Sequence, residues 1–87
     1  MPRIEFYATS WCPYCERARA LLRSKGVAFE EIDIESRPGA REEMVARSGR
    51  RTVPQIFINQ AHVGGCDDLI ALEDAGRLDP LLQETNR

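Results

Sequence analysis

The sequence predicts an α/β fold, a four-stranded mixed sheet flanked by helices, and three observations carry the prediction. Runs rich in β-branched and aromatic residues recur at 3–7, 27–34, 55–58 and 61–63. Between the first two runs, Cys15, Ala18, Leu21 and Leu22 repeat at the spacing of a helix. The resulting order, strand–helix–strand, helix, strand–strand, helix, suits a sheet whose first two strands run parallel through a crossover and whose last two form a hairpin.

Each element has a local reason. Residues 3–7 alternate as a strand does, and the short stretch 8–11 leads from it to Cys12. Pro13 suits the first turn of a helix, where its missing N–H is no loss, and Gly26 supplies the stop, which predicts a helix over 13–25. Val27, Phe29, Ile32 and Ile34 mark the second strand. The chain breaks at Ser36-Arg37-Pro38-Gly39, and charged residues around Met44 and Val45 give a short surface helix over 40–47, closed by Gly49. Residues 55–58 form a third strand, Asn59-Gln60 a hairpin turn and 61–63 a fourth strand. After Gly64-Gly65 a helix begins near Asp67, with Leu69, Ile70 and Leu72 as its apolar face, and a last short helix over 79–83 follows Gly76. Taken together this is an α/β sandwich of thioredoxin-like type.

A chain of 87 residues has room for one domain with a modest core, and residues 1–87 are read as that domain. Twelve Lys and Arg against 14 Asp and Glu leave a net charge of -2, so the overall field gives no reason to expect nucleic acid or a membrane as partner. No leader-like hydrophobic region and no spanning segment is expected, which points to a soluble, cytoplasmic protein. The three cysteines cannot all pair internally, so a disulfide-stapled framework is not expected. In a reducing compartment a close cysteine pair is more often catalytic, redox-sensing or metal-binding.

The pair in question is Cys12-Pro13-Tyr14-Cys15. At i and i+3 of a helix, the two Cα atoms stand roughly 5–5.5 Å apart, within the range a disulfide accepts. Cys12 sits at or just before the helix start, where the dipole and unpaired N–H groups stabilise negative charge on sulfur. Cys12 is therefore the candidate nucleophile, and Cys15, one turn inside, suits the resolving role. The competing chemical reading makes the pair half of a zinc site, completed by His62 and Cys66. Against it, Pro13 and the helical pattern after Cys15 indicate a rigid helix start rather than a loose zinc knuckle. No metal site is expected.

Around the pair the sequence resembles the glutaredoxin family, specifically its dithiol class. The resemblance rests on Cys12-Pro13-Tyr14-Cys15, on Thr52-Val53-Pro54 and on Gly64-Gly65-Cys66-Asp67-Asp68, in the family's order and spacing, and extends to Leu78-Asp79-Pro80-Leu81-Leu82. It implies a glutathione-dependent thiol-disulfide oxidoreductase with no tightly bound cofactor and glutathione as co-substrate. It further implies that Pro54 is cis and faces the cysteines, and that the backbone of Val53, beside Thr52, pairs with the cysteine of glutathione as a short strand addition. The N–H groups of Cys66 and Asp67 would take the γ-glutamyl carboxylate, with Gly65 allowing close approach and Asp67 receiving the ammonium. The plainer reading of Asp67 is a helix cap. Tyr14 would shape the glutathione site, and Cys66 is read as a packed or ligand-side residue rather than a third redox centre.

One departure from the family stands out. A lysine often precedes the first cysteine by two or three positions, and here the stretch reads Thr9-Ser10-Trp11. Its loss weakens two expectations, help in stabilising the Cys12 thiolate and binding of the glycyl carboxylate. Arg41 is the candidate for the second task, with Arg51 behind it. Trp11 has two readings, a ring beside the thiolate or a side chain packed on its loop, and His62 is read as surface or packed rather than as a general base. The partners implied are glutathionylated or disulfide-bearing proteins, ribonucleotide reductase among them, and an NADPH-dependent reductase that regenerates glutathione, with the protein a monomer. Family potentials of about -200 to -230 mV make the exchange reversible. The alternative class is an iron-sulfur or zinc binding module using Cys12, and Pro13 argues against the cluster by stiffening the loop.

Overall fold

The computed structural model describes residues 2–83. Its elements in chain order are β1 Ile4–Ala8, α1 Pro13–Ser24, β2 Glu30–Asp33, α2 Ala40–Ser48, β3 Gln55–Ile58, β4 Ala61–Gly64, α3 Cys66–Asp74 and α4 Leu78–Gln83. The sheet order is β2-β1-β3-β4, with β1 parallel to β2 and antiparallel to β3, and β3 antiparallel to β4. The expected crossover and hairpin are both present. Asn59 and Gln60 take positive φ values of 52° and 71°, the backbone a two-residue hairpin turn needs to match strand twist.

Strand β1 differs from expectation in one respect: it is buried along its whole length, not on alternate residues. The reason is that both faces of the sheet are covered. Ile4, Phe6 and Ala8 face a core with Cys15, Ala18 and Leu22 of α1, Leu69 of α3 and Leu78 and Leu82 of α4. Tyr7 faces a second, smaller core with Ile32, Ala40 and Met44 of α2, and Phe57. The polar residue on that second face, Glu5, is 8 % exposed and holds Arg47 of α2 through two hydrogen bonds of 3.0 Å. Arg47 also donates to the Tyr7 hydroxyl at 2.8 Å and lies over the Phe57 ring, 4.1 Å from its centroid. The charge is thus carried into the sandwich only where it is fully partnered.

Arg19 makes the equivalent arrangement on the other face. Its side chain is buried on α1, bonded to both carboxylate oxygens of Glu31 at 2.8 and 2.6 Å and also to Glu16. This pair ties the site-bearing helix to strand β2. Helix α1 therefore starts at a fixed height at the carboxyl end of β1, which is where the cysteines stand.

Candidate active site

Cys12 is the N-cap of α1, with extended backbone (φ -84°, ψ 122°), and its carbonyl accepts the first helical bond from the Glu16 N–H at 3.1 Å. Pro13 occupies the first turn, as its fixed φ favours. The two cysteines are unbonded, Cys12 7 % exposed and Cys15 fully buried. Burial pushes the Cys15 thiol up to about 11; the backbone N–H and hydroxyl of Thr9 pull in the opposite direction, and Cys12 alongside raises it further. A thiol held protonated in this way is a poor first nucleophile and a good second one, acting when a neighbouring sulfur has become electrophilic.

Opposite the helix start runs the turn 52–54, whose Val53-Pro54 bond is cis. The Cys12 sulfur lies 4.0 Å from the Val53 carbonyl oxygen. Gln55 holds the turn from beneath: it is 1 % exposed, and its amide N–H group donates to the Thr52 carbonyl at 3.1 Å and to the Thr52 hydroxyl at 3.3 Å. That leaves the Gln55 oxygen for His62, whose Nε2 lies 2.7 Å away and, facing an acceptor, must carry the hydrogen. The imidazole stacks at 5.0 Å on Phe57, and burial together with Arg50 lowers its pKa. His62 is thus a support for the turn, and among the described residues no three His, Cys, Asp or Glu side chains converge as a metal site.

The third wall is the start of α3. Gly65 is its N-cap, and the Gly65 N–H donates to the Asp68 carboxylate at 2.9 Å. Asp68 also accepts from Arg50 at 3.0 Å, and these two bonds hold its carboxyl below the usual carboxylate range. The capping role considered for Asp67 therefore belongs to Asp68, and Asp67 is exposed with no side-chain partner among the described residues. Gly64 is required here for an internal reason: its φ is +121°, and a Cβ on it would stand 2.2 Å from an Asp68 carboxylate oxygen.

Between these walls lies a cavity of about 210 Å³. Tyr14 from α1, Thr52, Val53 and Pro54 from the turn, and Gly65, Cys66 and Asp67 from α3 all line it. Arg41 does not; it lines a separate cavity of about 450 Å³ with Arg51, Glu42, Val45 and Ala46 on the outer side of α2. Arg50, Gln55 and Asp68 line the first cavity and were not singled out from sequence. Asp68 follows a second aspartate, Asp67, and sequence alone does not tell which of the two carboxylates turns back to the helix start. Arg50 and Arg51 are indistinguishable by pattern, and Gln55 reads as a strand residue. Trp11 is 68 % exposed and its indole N–H donates to Glu35 at 2.8 Å.

A thiol at a helix start, facing a proline turn across a cleft and backed by a second, buried thiol, makes this a thiol-disulfide oxidoreductase built on the thioredoxin-like fold. Known proteins narrow the class. A family model described as Glutaredoxin matches residues 4–63. Glutaredoxin 3 of Escherichia coli K12 is 59% identical over 83 residues, covering 95% of this chain and all of that one. The solution structure of glutaredoxin from Brucella melitensis is 58% identical with a TM-score of 0.81, covering 93% of this chain and 88% of that one. A buckwheat glutaredoxin–glutathione complex superposes with a TM-score of 0.85 at 28% identity, covering 91% of this chain and 74% of that one. The chain belongs to the glutaredoxin family: it is a glutathione-dependent thiol-disulfide oxidoreductase, with glutathione as co-substrate.

Proposed function

We propose that Cys12 is the attacking thiolate, Cys15 the resolving thiol, and the cavity of about 210 Å³ the seat of the glutathione moiety. The observation that carries this reading is the position of the Cys12 sulfur at the N-cap of α1, 4.0 Å from the Val53 carbonyl that borders the cavity. Cys12 attacks the glutathione-side sulfur of a glutathionylated protein, the mixed disulfide passes to Cys12, and the protein leaves as a thiolate that takes a proton from solvent. A second glutathione then attacks, releasing glutathione disulfide and restoring Cys12. With a protein disulfide, Cys15 attacks the Cys12 mixed disulfide instead and frees the reduced protein.

Glutathione would lie with its cysteinyl segment along the backbone of Val53, between Thr52 and Pro54, as an added strand. Its γ-glutamyl carboxylate meets the unpaired N–H groups of Cys66 and Asp67 at the first turn of α3, beside Gly65, and its ammonium meets the Asp67 carboxylate. Tyr14, half exposed beside the cavity, forms the flank. The glycyl carboxylate is assigned to Arg41, with Arg51 behind it; both line the separate cavity beside α2, so this end of glutathione would extend beyond the first cavity past Thr52. On this reading residues 1–87 work as one monomeric domain in the cytoplasm. An NADPH-dependent reductase returns glutathione disulfide to glutathione, and ribonucleotide reductase is one protein-disulfide acceptor.

Cys12→Ser should abolish glutathione-dependent reduction of a mixed disulfide in an assay coupled to NADPH oxidation. Full activity in that variant would overturn the assignment. Cys15→Ser should keep deglutathionylation and lose reduction of protein disulfides, and loss of both would contradict the division of roles. The zinc alternative finds no support among the described residues, where His62 and Cys66 do not converge with the cysteine pair on one site. The protein purified without oxygen should be colourless, and visible absorbance there would favour the cluster alternative.

A further inference from the structure

Thr9 follows β1 directly and is 2 % exposed, yet its hydroxyl has no hydrogen-bond partner among the described residues. Buried hydroxyls in that condition are few in native structures, because the group has given up water and received nothing in exchange. The group it serves is the sulfur of Cys15, whose proton affinity the backbone N–H and the hydroxyl of Thr9 both lower, although the hydroxyl makes no formed hydrogen bond in this structure. The Cys15 side chain is itself wholly buried, on the inner face of α1.

The other titratable and charged groups about this sulfur are few. Cys12 precedes it at the helix start. Arg19 follows it one turn on, its guanidinium engaged by Glu31 and Glu16. From the packed helix α3, Cys66 shares the same core and lies against Cys12. No carboxylate or imidazole stands beside Cys15 among the described residues to take its proton. A thiolate formed there must be stabilised by neutral donors.

We propose that Thr9 is a positioning residue for the resolving step, its otherwise idle hydroxyl donating to the Cys15 sulfur as that sulfur becomes a thiolate. The inference rests on the reading of Cys15 as the resolving thiol. In that step Cys15 gives its proton to solvent, and its thiolate attacks the Cys12 sulfur of the Cys12–glutathione disulfide. The Cys12–Cys15 bond forms as the Cys12–glutathione bond breaks, and glutathione leaves as a thiolate that is protonated by solvent. In the return direction glutathione attacks Cys12, and Cys15 is the leaving thiolate. The same hydroxyl serves both directions, because the charge develops on the same atom. A hydroxyl with no competing partner gives up nothing when it turns, so the whole of the new bond goes to the charged form.

The test isolates that step. The protein is loaded at low pH as the Cys12–glutathione adduct, confirmed by mass, and release of glutathione is timed after jumps to a series of pH values. Thr9→Val, which keeps the shape and removes the hydroxyl, should slow release near neutral pH by about fivefold to tenfold and move the pH midpoint up by about half to one unit. Thr9→Ser should restore both. Should the valine variant not fold, Thr9→Ala is compared with Thr9→Ser in the same way. Unchanged release and an unchanged midpoint would overturn the role of Thr9, as would a serine variant that behaves like the hydroxyl-free one. Failure of the adduct to form on Cys12 in the parent protein would overturn the reaction scheme and this inference together.

Discussion

Cys66 and Gln55 show how residues of ordinary appearance take on distinct tasks once folded. Cys66 is 3 % exposed, and burial raises its thiol, with Asp67 adding to the rise and Arg17 opposing it. It should therefore resist alkylation at pH 7, labelling at least about tenfold more slowly than Cys12 when the two are followed by mass spectrometry. Comparable rates would return Cys66 to the list of redox centres. Gln55 carries the turn 52–54 through its bonds to Thr52 and is itself oriented by His62. Gln55→Leu should raise KM for a glutathionylated peptide by about threefold to tenfold with a smaller effect on kcat, as expected when a binding edge loses its support. The cysteine pair and the proline turn were legible as residues in a row. The work of Gln55 was not, because its partners lie three residues before it and across the hairpin, and no local pattern marks them.

Among the elements, the junction of β4 and α3 is the most tightly specified. Gly64 at φ +121° and the carboxylate of Asp68 occupy one space, so Gly64→Ala should destabilise the fold by about 2 kcal/mol or more, read from urea unfolding. The space a side chain on Gly64 would need is taken by the carboxylate that caps α3. The junction of β1 and α2 rests on the Glu5–Arg47 pair, whose carboxylate side chain is 10 % exposed. Arg47→Ala would strand that carboxylate on the sheet face and should cost about 2–3 kcal/mol, whereas Glu5→Gln, which keeps one acceptor oxygen for Arg47 and leaves no unpaired buried carboxylate, should cost less. Equal losses would mean that the ion pair alone holds the junction and that packing of Arg47 on Phe57 adds nothing.

For the molecule as a whole, these same groups set the response to acid. Hydrogen bonds from Arg47 hold the Glu5 carboxyl below its ordinary value of 4.5, against burial, and the Gly65 N–H and Arg50 hold Asp68 below 3.8. The unfolded chain therefore binds protons on these groups at a higher pH than the folded protein does. Their contribution is complete above the ordinary values and is lost as pH falls through the depressed folded ones. His62 acts in the same direction: burial lowers it from 6.5, so the unfolded chain takes up this proton first and stability begins to fall below about that pH. Urea midpoints measured from pH 7 down to pH 3 should decline throughout, and Glu5→Gln should flatten the acid limb. A parent curve that is level from pH 5 to pH 3 would contradict the pairings.

By itself the sequence determined the order of strands and helices, the two-residue hairpin turn and the place of the cysteines at a helix start, because these follow from residue period, proline and glycine acting over a few positions. The full burial of β1, the partnering of Glu5 by Arg47, the transfer of the cap from Asp67 to Asp68 and the enclosure of Thr9 against Cys15 were decided only by tertiary structure. Each depends on which groups meet across 3 to 42 positions of chain, and it is that meeting, through excluded water and matched donors, that sets burial, charge and proton affinity.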